Sequence, residues 1–70
     1  MTEADVAKAV HAAGGDRVRF PRRLLRLMWG LRSQKELSAK VEKFCEANVF
    51  DYDYDQPSRE FKIRLKAAPS

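Results

Sequence analysis

The chain has 70 residues, with 14 Lys and Arg against 10 Asp and Glu and a net charge of +4. A length that short holds one domain and a small core, and a single cysteine and a single histidine exclude an intrachain disulfide and a thiolate zinc site. No apolar run reaches the roughly 18 residues of a membrane span and the sequence shows no signal-peptide pattern, so the expectation is an intracellular protein, cytoplasmic or nuclear, with a membrane partner disfavoured.

Thr2 and Asp5 have the spacing of a capping box, and Val6, Ala9, Val10 and Ala13 then share one helical face before Gly14 and Gly15. That predicts helix 1 over about residues 3–13. His11 adjoins the face with no second ligand near it, which assigns it a structural or exposed role.

Arg17-Val18-Arg19-Phe20 alternates polar with apolar and ends at Pro21, the pattern of a short edge strand. Proline also suits the first turn of a helix, since its missing N–H has no partner to lose there, so helix 2 is expected over about 21–30. Leu24, Leu27, Met28 and Leu31 recur at helical spacing and form its expected buried face, with Leu25 on one border. Arg22, Arg23 and Arg26 face away.

Ser33 and Glu36 stand three apart and start a new helix at Gln34, with Leu37, Val41, Phe44 and Cys45 as its apolar stripe. Residues 30–33 therefore join two helices in a helix-turn-helix arrangement. From Val49 the period falls to two. Phe50, Tyr52 and Tyr54 alternate with Asp51, Asp53 and Asp55, the chain breaks at Gln56-Pro57-Ser58, and Phe61, Ile63 and Leu65 then alternate with Glu60, Lys62, Arg64 and Lys66. This is a β-hairpin with an apolar face and a face that sets Asp against Lys and Arg. The tail, residues 67–70, is expected to be disordered.

Charge is unevenly placed. Residues 1–35 carry eight basic and three acidic side chains, and residues 36–70 carry six basic and seven acidic. A basic half points to an anionic partner, nucleic acid or an acidic protein surface. The calcium-like spacing of Asp51, Asp53 and Asp55 lacks the glycine and the closing glutamate of such a loop, and no glycine-rich phosphate loop is present. No metal and no cofactor is expected. Cys45 on an apolar stripe lacks a neighbouring base, so no catalytic residue is assigned and the chain reads as no enzyme.

The order helix, short strand, helix, turn, helix, hairpin resembles the winged-helix fold over residues 3–66. The expectation is an α+β domain spanning 1–70, with the short strand joining the hairpin as a third strand. The resemblance implies that helix 3 and the hairpin tip meet nucleic acid, most simply duplex DNA, so the candidate contacts are Arg17, Arg19, Arg22, Arg23, Arg26, Arg32, Gln34, Lys35, Ser38 and Arg59. One feature opposes deep insertion in a groove: the outer face of helix 3 presents Lys35, Ala39, Glu42 and Glu46. The alternative is an interaction module that binds an acidic protein surface through Arg22, Arg26 and Trp29, Trp29 either capping the core beside an arginine or anchoring the contact. Homodimerisation through helix 1 or the hairpin edges is compatible with both.

Overall fold

The computed structural model describes residues 1–66, so the expectation of a disordered tail at 67–70 lies outside the described residues. The element order is α1 (Glu3–Ala12), β1 (Val18–Pro21), α2 (Arg22–Trp29), α3 (Gln34–Asn48), β2 (Phe50–Asp55) and β3 (Glu60–Leu65). Three helices cover one face of a three-stranded antiparallel sheet in the order β1-β3-β2. The α+β layout, with a strand after the first helix and a C-terminal hairpin, is the one the sequence implies.

Each boundary has a local cause. In α1, the Thr2 hydroxyl accepts from the Asp5 N–H at 3.3 Å and the Asp5 carboxylate accepts from the Thr2 N–H at 2.9 Å, which closes the capping box. The Thr2 N–H, and after it the Thr2 hydroxyl at 3.2 Å, donate to the Asp5 carboxylate, which favours its ionised form and holds the carboxyl below the usual value. Gly30, at φ 66°, ends α2 in the left-handed conformation that glycine adopts without a Cβ penalty. The Ser33 hydroxyl accepts from the Glu36 N–H at 3.1 Å and opens α3.

The sheet register places apolar residues on one side. Val18 pairs with Ile63 and Phe20 with Phe61 across β1 and β3, while Tyr52 and Tyr54 pair with the same two residues from β2. Phe61 and Ile63 are thus flanked on both sides and fully buried. Val6, Val10, Leu37, Val41, Phe44 and Cys45 close the core from the helices. On the outer face Asp51 stands opposite Arg64 and Asp53 opposite Lys62, as the alternation implies. Asp55 faces Glu60 instead, and its carboxylate takes the Ser58 hydroxyl at 2.7 Å and the Lys62 ammonium at 3.7 Å.

Two expectations are corrected. The buried face of α2 is turned by about one residue, roughly 100°. Leu25 is fully buried, Leu24, Met28 and Leu31 are only partly buried, and Leu27 is 73% exposed. Leu25 and Trp29 lie four apart and present a second apolar stripe, and the stems of Arg22 and Arg26 border it without burying a guanidinium. The core takes that stripe because Trp29 meets Phe44 of α3 edge-on, ring centroids 5.8 Å apart. Pro21 does not open the helix; it closes β1 opposite Glu60 with ψ 136° and serves as the N-cap residue of α2.

Candidate nucleic-acid interface

The start of α2, the start of α3 and the hairpin tip converge at one end of the molecule. The tip is a four-residue turn in which the Arg59 N–H donates to the Gln56 carbonyl at 3.3 Å, with Pro57 fixing the bend. Arg59 follows at φ 57°. Its carbonyl accepts from the Arg22 N–H at 2.9 Å, which ties the tip to the first residue of α2.

The Arg22 guanidinium then reaches sideways. Its Nη1 donates to the Tyr54 hydroxyl at 3.4 Å and to Gln34 Oε1 at 3.5 Å, while Gln34 Nε2 donates to the Ser38 hydroxyl at 3.4 Å. Arg22, Gln34, Tyr54, Gln56 and Arg59 line a shallow concavity of about 320 Å³ without a carboxylate on its wall. Lys35 is exposed one residue along from Gln34. The long Arg22 bonds leave most of its five donors free for an incoming oxyanion.

The other candidates lie elsewhere. Arg19 stands opposite Lys62 on the outer face of the sheet, and Arg17 lines a depression there with Asp51, Asp53, Lys62 and Arg64. Arg26 Nη2 donates to the Arg32 carbonyl at 2.7 Å and so braces the loop between α2 and α3, where Arg32 is exposed. Arg23 and Arg26 flank Leu27, Gly30 and Leu31 on the outward side of α2. Trp29 lies against Phe44, and the cation over its ring is the Lys40 ammonium at 5.8 Å rather than an arginine. Its indole N–H is buried without a partner among the described residues. Arg22, Arg26 and Trp29 therefore point to different neighbours.

The sequence reading missed Tyr54 and Gln56. The ring of Tyr54 joins the apolar face as the alternation implies, 4.8 Å from Phe61, but its hydroxyl accepts from Arg22 at the start of α2. A tyrosine near a strand end carries that signal, since its hydroxyl seeks a partner when the ring is buried.

Charge along α3 divides the helix. Glu42 and Glu46 are exposed one and two turns beyond Ser38 and border β2, together with Asp51. The first turn of α3 is thus free of the carboxylates that mark its second half, apart from Glu36. Cys45 lies beneath, 1% exposed, and burial first, then the charge of Asp51, pushes its thiol up to about 11. A neutral buried thiol is no nucleophile at neutral pH. Among the described residues Lys62–Asp55 is the sole ion pair, so the candidate arginines and lysine have no carboxylate partner within 4 Å there. Among the described residues no group could hold a metal ion, and no helix is long and apolar enough to cross a membrane.

Comparison with protein-family models, with curated proteins and with solved structures finds no match to this chain.

Proposed function

We propose that this chain is a winged-helix-like, non-enzymatic protein that binds duplex nucleic acid, DNA in the first instance, through the end where α2, α3 and the hairpin tip meet. The observation that carries this is the convergence of Arg22, Gln34, Tyr54 and Arg59 from three segments on one concavity without a carboxylate. Arg22, Arg59 and Lys35 supply phosphate contacts, with Arg23 at the margin, and Gln34 and Ser38 stand where side chains reach base edges. The free N–H groups at the start of α3 add partial positive charge at the same place. Glu42 and Glu46 repel a backbone laid along the helix, so the duplex engages the N-terminal turn of α3 and the tip rather than its full length. Arg17 and Arg19, on the outer sheet face, contribute to the long-range field alone.

Titration of a labelled duplex at two ionic strengths tests this. About three to four phosphate contacts give a log–log salt slope near −3, and Arg22→Ala and Arg59→Ala each reduce its magnitude by about one unit. Absence of binding at low salt overturns the proposal.

A second reading is favoured by a separate observation. Leu27, 73% exposed between Arg23 and Arg26, is an apolar anchor ringed by cations and fits an acidic amphipathic helix. Calorimetric titration with such a peptide, repeated on Leu27→Ser, tests it; equal binding by the two proteins removes this reading.

A further inference from the structure

The sheet has two edges, and they differ. At β1 the strand is four residues long and closes with Pro21, which has no N–H to offer. The Arg22 N–H to Arg59 carbonyl bond makes 21/60 a non-hydrogen-bonded pair, so the outward backbone groups of β1 belong to Arg19 and Pro21. Proline and a short span are the usual means of blunting an edge.

At β2 neither device is present. The Lys66 N–H donates to the Val49 carbonyl at 3.1 Å, which makes Phe50/Leu65 a non-hydrogen-bonded pair. Asp51 and Asp53 therefore bond to β3, and the N–H and C=O groups of Phe50, Tyr52 and Tyr54 point away from the sheet. These groups have no backbone partner among the described residues. Beside them α3 and β2 form an open concavity, with Tyr52 39% and Val49 63% exposed as apolar contact surface.

The side chains say what fits. On its inner side β2 meets a strand that alternates Lys62 and Arg64 with Phe61, Ile63 and Leu65, its cations opposite Asp53 and Asp51. Asp51 and Asp53 border the free edge on the outer face, and Glu42 and Glu46 stand beside it on the α3 side, with Lys66 at its end. A second β2 laid antiparallel would set Asp beside Asp, which disfavours self-pairing through this edge.

We propose that the free edge of β2 accepts an extended segment of another protein as a fourth antiparallel strand, one that alternates Lys or Arg with apolar residues as β3 does. The partner's cations sit beside Asp51 and Asp53 on the outer face, and its apolar side chains enter the groove toward Tyr52, Val49 and α3. Backbone hydrogen bonds supply affinity and the alternation supplies selectivity. This surface meets the basic end of the molecule at Tyr54, whose hydroxyl accepts from the Arg22 guanidinium.

The capped hexapeptide KVKVKV is the probe, followed by amide hydrogen exchange on the whole chain. Expected are slowed exchange at Tyr52 and Tyr54, loss of binding by the matching EVEVEV peptide, and a two- to fivefold weakening, about that of one cross-strand charge pair, in Asp53→Asn. In an antiparallel pair the valine N–H groups face β2, so N-methylation of the valines abolishes binding and N-methylation of the lysines does not. Binding that survives methylation of the valines, or unchanged exchange at Tyr52 and Tyr54, overturns the proposal. So does sedimentation showing that a second copy already occupies this edge.

Discussion

Leu25 and Leu27 are both leucines of α2, yet one is fully buried and the other 73% exposed. Leu25→Ala is expected to cost about 2–5 kcal/mol in chemical denaturation, because it empties a packed site. Leu27→Ala should fall within about 0.5 kcal/mol of the parent. Cys45 offers a second measurement at this scale. Its folded pKa lies near 11 against an ordinary 9.0, so the fold favours the neutral thiol. That contribution is complete below pH 9, and is lost as pH rises from there toward 11. Alkylation by iodoacetamide at pH 8, followed by mass spectrometry, should be slower than that of a free thiol in proportion to the fraction of molecules unfolded.

At the scale of elements, the junctions carry the informative strain. Val49 ends α3 at φ 58°, a β-branched residue in the left-handed region, and it is largely exposed. Val49→Gly should therefore raise stability by about 1 kcal/mol, seen as a higher melting temperature. Gly30, in the same conformation at the end of α2, should respond oppositely. An added Cβ meets nothing within 4 Å, so the loss of about 1 kcal/mol in Gly30→Ala comes from the backbone alone. The element order, both serine and threonine caps and the hairpin pattern were readable from the chain, because capping and alternation are local signals. The orientation of α2 was not. With Leu24, Leu25, Leu27, Met28 and Trp29 among eight residues, two apolar stripes compete, and the choice falls to Phe44, a residue of another helix. The candidate interface shows the same division. Arg22, Gln34 and Arg59 could be chosen by element, but the bond from Arg22 to Tyr54 spans thirty-two positions and no local pattern announces it.

For the whole molecule, the core is small and the sheet is its centre. Phe61→Ala removes a ring packed between Phe20 and Tyr54 on neighbouring strands, and should cost about 3–5 kcal/mol, enough to unfold most of the chain at room temperature by circular dichroism. The charge distribution is likewise a property of the whole. Arg22 and Arg59 meet where α2, α3 and the hairpin tip converge, whereas Glu42, Glu46 and Asp51 outnumber Lys66 where the end of α3 borders the start of β2. Long-range steering by the basic end should fade with salt over the Debye length, roughly 10 Å at 0.1 M.

The strand order has a consequence in time. β3 lies between β1 and β2, yet it is the last of the three to be synthesised. Until it emerges, β1 has no neighbour to bond, and Val18 waits for Ile63 across a loop of more than forty residues. Helices can flicker during that interval, but the sheet cannot exist in part. Acquisition of structure is therefore a single late event, and a nascent chain halted before Glu60 should remain as protease-sensitive as an unfolded one.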